Sequence, residues 1–96
     1  MDTQFYIVLN LKTVKGFESF ARFFIGNNRE HAYSLFRKLK GTDEVNEKNV
    51  LLLDFMETKQ GLPLNLKMIT CTLDQLAENC KIITKELFRV SNLEQR

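Results

Sequence analysis

Four polar residues interrupt apolar, strand-like segments of the sequence, and they are the first candidates for chemistry. They are Asn10, Arg22, Asp54 and Lys67. Counted by alternation, all four fall on the same face of a predicted sheet, where they could line a small polar site for binding or catalysis. Asp54 opposite Lys67 could instead form a cross-strand ion pair, which is an ordinary stabilising feature of sheets, and this structural interpretation is favoured. In a dimer, the four residues could also fix the register of the interface.

The residue types that usually perform nucleophilic or metal chemistry are sparse. His31 is the single histidine, and it falls in the first turn of a predicted helix, where the helix dipole opposes a positive imidazole. One histidine without a spaced Cys/His cluster completes neither a catalytic triad nor a zinc site. Cys71 and Cys80 lack C-x-x-C spacing, so they are interpreted as small buried hydrophobes, with a redox pair as the alternative. The sequence therefore predicts no catalytic residue, no metal site and no cofactor.

An aromatic cluster suggests nucleic-acid binding, because aromatic rings on a sheet stack on bases. The cluster consists of Phe17, Phe20, Phe23 and Phe24, with Arg22 among them. RNA-reading sheets of this kind are usually built in a β-α-β order with a glycine–aromatic motif, and the chain has neither. Its 14 basic residues are nearly balanced by 12 acidic ones, so the formal net charge is only +2. Packing in a core or an interface is the preferred interpretation, and RNA or DNA binding is a weaker alternative.

The elements that position these residues follow from hydrophobic periodicity. Four runs are typical of β-strands: residues 5–12, 17–25, 50–56 and 62–71. Gly16 and Gly61 lie in the short turns that join the strands of each pair, and Gly16 suits the left-handed position of a hairpin loop. In the second run, Phe17, Phe20 and Phe24 also fit helical spacing. A strand is preferred, because a short glycine turn most economically returns the chain antiparallel.

Two amphipathic segments predict helices, each of which begins with a capping box. The boxes are Asn27 with Glu30, and Thr72 with Gln75. The apolar stripe of the first helix comprises Ala32, Leu35, Phe36 and Leu39, and that of the second comprises Leu73, Leu76, Ala77, Cys80, Ile83, Leu87 and Phe88. We expect the first helix to stop at Gly41 and the second near Val90, with residues 42–49 as a polar loop and residues 91–96 as a frayed tail.

The same plan occurs twice along the chain, which indicates an internal repeat. Asn10 and Asp54 lie 44 residues apart and Gly16 and Gly61 lie 45 apart, each pair in matching positions. The half-repeats cover about residues 4–41 and 49–90 of a single domain, 1–96. The order ββαββα predicts an α+β fold with a four-stranded antiparallel sheet and both helices packed on one face, because the helices must bury their apolar stripes against the sheet.

The uncovered face of this sheet carries the strongest functional signal. It is too apolar to face water, and a mixed aromatic, aliphatic and arginine surface is typical of interfaces. The predicted interface comprises Tyr6, Val8, Phe20, Arg22, Phe24, Leu52 and Ile69. A register error of one residue in a strand would exchange its two faces.

The sequence therefore predicts a small protein-interaction module that forms a homodimer or docks on another protein through this face. The alternative is a small-molecule-binding or catalytic domain with a polar site near Asn10, Arg22 and Asp54. No apolar run approaches the length of a membrane span and the first residues lack a signal-peptide pattern, so neither a membrane partner nor secretion is expected. Two cysteines without a disulfide framework favour a reduced, cytoplasmic protein.

Overall fold

A computed structural model describes residues 3–44 and 50–94, with side chains as far as Arg89. The elements are β1 (Gln4–Thr13), β2 (Gly16–Phe24), α1 (Arg29–Arg37), β3 (Leu51–Lys59), β4 (Leu62–Cys71) and α2 (Leu73–Glu94). The predicted ββαββα order and α+β class are confirmed, and the segment 17–25 forms a strand as far as Phe24 rather than a helix. The helix α2 runs four residues beyond the predicted end. Most of the predicted polar loop (residues 45–49) and the last two residues of the predicted tail lie outside the described residues.

The four strands form one antiparallel sheet in the order β2-β1-β3-β4. The first strands of the two halves are therefore the central pair, and Ile7 faces Phe55 across it while Leu9 faces Leu53. Gly16 takes the left-handed conformation expected of it in the first turn, with φ +108°. Each hairpin also contains a β-bulge, which inserts Phe20 into β2 and Leu66 into β4 without a cross-strand partner.

The bulge in β4 corrects the predicted faces of that strand. Alternation placed Lys67 and Ile69 on the uncovered face, but Lys67 pairs with Phe55 and Ile69 with Leu53, so both lie on the face that the helices cover. An extra residue shifts the alternation by one, and every later side chain of the strand changes face. The bulge in β2 also shifts the alternation. Asn10 pairs with Ser19 rather than with Phe20, so Ser19 shares the face of Asn10.

The core lies between the sheet and the helix layer. Its centre is Phe55, whose ring stacks on Phe36 of α1 at 4.9 Å between centroids and meets the edge of Tyr33 at 5.0 Å. The remaining buried apolar side chains come from both halves of the chain: Phe5, Ile7, Ile25, Ala32, Leu35, Leu51, Leu53, Cys71 and Ile83. Each large side chain buried in this way contributes about 2 kcal/mol of transfer free energy. Because the buried cluster contains residues of the sheet and of both helices, the two helices share one core on one side of the sheet.

Both helices begin with side-chain caps. In α2 the predicted capping box is confirmed, because the backbone N–H of Gln75 donates to the Thr72 hydroxyl (3.1 Å) and the N–H of Thr72 donates to the Gln75 side-chain oxygen (2.9 Å). In α1 the cap is Asn28, one residue later than predicted, and its side-chain oxygen accepts the N–H of His31 at 2.9 Å. This correction places the two caps 44 residues apart, which matches the offset between Asn10 and Asp54.

The segment that follows α1 is held by Asn79, a polar residue at a buried position on the apolar side of α2. Asn79 of α2 is fully buried. Its side-chain oxygen accepts the backbone N–H of Lys40 at 2.6 Å, and its amide donates to the Lys40 carbonyl at 2.8 Å. One side chain thus satisfies both backbone groups of a residue that belongs to no helix or strand. The sequence interpretation missed this role, although a single asparagine between Leu76 and Ile83 was the available signal.

Gly41 continues this connection, and it does not end α1 as predicted, because the helix ends at Arg37. Its φ of +151° lies in the range that favours glycine, and a Cβ here would stand 2.5 Å from the backbone oxygen of Thr70. The next residue, Thr42, forms an antiparallel bridge with Thr70, with N···O distances of 2.9 and 2.7 Å. The connection therefore lies against the outer edge of β4.

Replacement of Asn79 should destabilise the fold strongly for a single polar side chain. We expect N79A to lower the free energy of unfolding by about 2–3 kcal/mol, because it leaves the N–H and C=O of Lys40 without their partners. The measurement is urea unfolding followed by circular dichroism. The control is T84A on the exposed side of the same helix, for which a change within about 0.5 kcal/mol is expected. Equal losses in the two variants would show that the Asn79 contacts contribute nothing.

Candidate functional site

The sheet face opposite the helices is the candidate site, and it is called the open face below. The cross-strand register assigns to it, among others, Tyr6, Val8, Asn10, Lys12, Ser19, Arg22, Phe24, Leu52, Asp54, Met56, Asn65 and Met68. The side chains lie in rows that cross the sheet, because residues paired between antiparallel strands point to the same side. Rows of apolar side chains therefore surround a small number of polar ones.

A chain of hydrogen bonds crosses all four strands on the open face. The hydroxyl of Ser19 donates to the side-chain oxygen of Asn10 at 2.7 Å, and the Asn10 amide donates to one oxygen of Asp54 at 2.7 Å. The amide of Asn65 donates to the other oxygen of Asp54 at 3.0 Å. Asn10 is buried within this network, so its amide would be costly without these partners. The network fixes the polar side chains in the middle of an otherwise apolar surface.

The network follows the internal repeat of the sequence. In each half, a residue of the outer strand donates to a residue of the central strand: Ser19 to Asn10 in one half, and Asn65 to Asp54 in the other. The equivalent residues are 46 and 44 positions apart, close to the offset found in the sequence. The bond between Asn10 and Asp54 joins the two halves. The repeat therefore has a physical counterpart, which is a polar network shared by both hairpins.

An arginine covers the aromatic part of the open face. The guanidinium of Arg22 lies 4.7 Å from the centre of the Tyr6 ring, and the ring is only 8% exposed. Tyr6 is paired with Phe24 on one side and with Met56 on the other, which makes a continuous apolar row beside the network. A cation above an aromatic ring is attracted by its electron-rich face, so the guanidinium is held over the sheet.

The two charged residues in the middle of the open face lie apart in a single row. Val8 is paired with Arg22 on one side and with Asp54 on the other, so the charges are separated by two strand spacings, about 10 Å. The ion pairs among the described residues involve neither of them. Asp54 accepts hydrogen bonds from two neutral amides, and Arg22 lies against a neutral ring. This row thus presents one positive and one negative charge without an ionic partner among the described residues.

Most of the predicted site residues lie on this face. Of the predicted interface, the open face holds Tyr6, Val8, Arg22, Phe24 and Leu52, whereas Phe20 sits at the bulge and Ile69 packs against the core. Of the predicted polar site, Asn10 and Asp54 are in contact and Arg22 is in the row of Asp54. Lys67 lies on the opposite face, so the predicted ion pair with Asp54 is not formed.

Sequence analysis did not identify Ser19 or Asn65 as members of the site. Both are exposed and polar, and their residue types do not distinguish them from ordinary surface residues. Their spacing of 46 residues, close to the repeat offset, was the available signal. The bulge hid Ser19, because strict alternation places it on the covered face.

The remaining candidates for chemistry contribute little to this face. Burial raises the pKa of the Cys71 thiol, and the nearby Cys80 raises it further, so Cys71 is held as an unreactive thiol. Within residues 3–44 and 50–94, no three His, Cys, Asp or Glu side chains converge as metal ligands. None of the helices in the described part of the chain is long and apolar enough to cross a bilayer.

Comparison of the chain with protein-family models, with curated proteins and with solved structures finds no match.

The contact between Asn10 and Asp54 should be visible as a pH-dependent stability in a charge variant. In N10D, two carboxyl groups meet, and repulsion raises the folded-state pKa of the pair above the ordinary carboxyl value near 4. Stability is then retained while the pair holds a proton, below about pH 4, and is lost as the pH rises through the raised pKa. We expect a cost of about 2–4 kcal/mol at pH 7 from the two facing charges.

The matched control is N10A, which removes the same hydrogen bonds without adding a charge. Urea unfolding of both variants is measured at intervals from pH 4 to pH 7. The difference in stability between N10D and N10A should grow with pH. A constant difference would mean that residue 10 does not contact Asp54 in the folded protein.

Proposed function

We propose that this protein is an interaction module that binds a second copy of itself through the open face. The observation that carries the proposal is the row in which Val8 separates Arg22 from Asp54. Each charge lacks an ionic partner among the described residues, and the two have opposite sign. A surface that carries two opposite charges at equal distances from a central residue, here Val8, is complementary to a second copy of itself.

A twofold axis that lies in the interface, parallel to β1 and over Val8, brings these charges together. Rotation about this axis exchanges positions on either side of β1, so Arg22 of one copy faces Asp54 of the other, and the reverse pair forms at the same time. Stacked sheets lie about 10 Å apart, a distance that an arginine and an aspartate side chain span together. An axis between β1 and β3 would instead bring Asp54 against Val8, which would desolvate a carboxylate that has no ionic partner.

The same arrangement joins the apolar parts of the face. The row of Phe24, Tyr6 and Met56 obeys the same exchange, so Phe24 of each copy meets Met56 of the other. Contacts between a thioether and an aromatic ring are favourable and tolerant of geometry. Val8 meets its own equivalent at the axis. The charged and apolar rows thus favour the same axis.

The area of this contact predicts a weak, reversible dimer. Three strands overlap, each about nine residues long, which gives about 400–500 Å² per copy and about 800–1,000 Å² in total. This is the lower limit for a specific interface and well below the size of a permanent one. We therefore expect a dimer that dissociates in the micromolar range, as a regulated or transient interaction module requires.

Charge reversal on the open face should dissociate the dimer. In R22E, each new carboxylate faces Asp54 of the other copy, and two like-charge contacts should weaken association by at least tenfold. D54N removes one charge from each pair with little change of shape, and a smaller loss is expected. Dimerisation is measured by sedimentation equilibrium between about 5 μM and 1 mM, a range that brackets a micromolar dissociation constant.

The matched control is K67E, which makes the same change in net charge on the opposite face of the sheet. It should leave the dissociation constant unchanged. Urea unfolding of each variant shows that the fold is retained. A monomeric wild-type protein at 1 mM would overturn the proposal, and so would equal weakening by R22E and K67E. Unaltered dimerisation in R22E would place the interface elsewhere.

A further inference from the structure

The helix layer contains a cleft on the side of the molecule away from the open face. It lies between the end of α1 and the middle of α2 and has a volume of about 490 Å³. Its lining residues are Arg37, Lys38, Leu39, Lys40, Ile82, Lys85 and Glu86. This volume is within the range of about 300–1,000 Å³ that small-molecule sites occupy. Two apolar side chains, Leu39 and Ile82, lie among five charged ones, so the lining is mainly charged.

The cleft holds four cations and one carboxylate. The carboxylate, Glu86, accepts hydrogen bonds from Lys38 at 2.7 Å and from Arg89 at 2.8 Å. These two hydrogen bonds lower the pKa of Glu86 to about 2, so it remains ionised and fully engaged. Arg37, Lys40 and Lys85 have no carboxylate partner among the described residues.

Stabilisation by helix dipoles does not explain why all three of these cations are here. A basic side chain in the last turn of a helix is stabilised by the helix dipole, and Arg37 is in such a position in α1. Lys40 also lies close to that C-terminus, whereas Lys85 lies well inside α2, so the dipole of neither helix accounts for Lys85. An anion in the cleft would supply the counter-charge that these cations lack among the described residues.

One wall of the cleft is also held in place before any ligand arrives. Asn79 fixes the backbone of Lys40 through two hydrogen bonds, and Glu86 holds the ammonium of Lys38. Groups that are ordered in the free protein lose less entropy on binding. The Asn79 contacts therefore position one wall of the cleft as well as the connection to β4.

We propose that this cleft binds a small anion that carries two or more phosphate groups. A guanidinium binds phosphate oxygens through two parallel hydrogen bonds, and ammonium groups bind them as point charges, so Arg37 with Lys40 and Lys85 supplies both modes. Three uncompensated positive charges match an oligophosphate better than they match a singly charged anion. The site is built from side chains and needs no glycine-rich loop. It is independent of dimerisation through the open face.

The test is titration of the full chain with tripolyphosphate by isothermal calorimetry at low salt. We expect saturable binding that weakens as salt is added, because the cations are exposed and screened. K40A and K85A should each weaken binding by about fivefold, the factor that corresponds to ~1 kcal/mol for one exposed ion pair. Sulfate at equal ionic strength should bind much more weakly than tripolyphosphate.

The control variant is K15A, which removes one positive charge from the exposed turn between β1 and β2. It should bind tripolyphosphate as the wild type does. Urea unfolding confirms that each variant retains its fold. Equal weakening in K15A and K85A would show non-specific attraction and overturn the site. Absence of binding at millimolar tripolyphosphate would also overturn it, as would binding of duplex DNA without binding of tripolyphosphate.

Discussion

The antiparallel pairing of β1 with β3 joins the two halves of this protein, and the rest of the structure depends on it. Each half is a hairpin followed by a helix, and an isolated hairpin is at best marginally stable in water. The central pairing sets Ile7 against Phe55 and Leu9 against Leu53, so the two hairpins make one sheet with one apolar face. Both helices then pack on that face, although Leu73, Ala77 and Phe88 of the predicted α2 stripe stay exposed. A single core forms from residues that are far apart in sequence.

The same pairing creates the polar network on the other face. Asn10 and Asp54 come within hydrogen-bond distance only because their strands are neighbours in the sheet, and each receives a further bond from its own outer strand. A network of this kind specifies register, since a slip of one residue would send its members to the covered face. The network holds Asp54 and the Tyr6 ring holds Arg22, so the two charges of the middle row stand at fixed positions, which is what a self-complementary surface requires.

The helix layer depends on a second polar anchor. Asn79 occupies a position that periodicity reserves for an apolar side chain, and it uses its amide to satisfy the backbone of Lys40. This contact and the bridge between Thr42 and Thr70 lead the chain from α1 along the edge of β4. As a first consequence, part of the edge of β4 is paired with this connection. As a second, the basic residues that follow α1 lie beside the basic side of α2.

Local patterns were sufficient to predict the element order, the strand identity of residues 17–25, the capping box of Thr72 and the offset of the repeat. These features depend on contacts within a few residues or on spacing alone, and both can be read from the chain. Tyr6, Val8, Arg22 and Asp54 were placed on the open face correctly, because no bulge separates them from the residues on which the alternation was counted.

Tertiary structure decided which face the residues next to each bulge occupy and which residues of the two halves are in contact. Lys67 and Ile69 changed face because a single extra residue, Leu66, shifts the alternation, and such an insertion has no signature in hydrophobic periodicity. The partners of Asn79, Ser19 and Asn65 were equally invisible, since a hydrogen bond between distant residues exists only once the backbone has brought them together. The sequence by itself determined the two hairpin–helix units and their shared plan. Only the packed sheet decided which polar groups meet, because strand order and register are properties of the whole chain rather than of any segment.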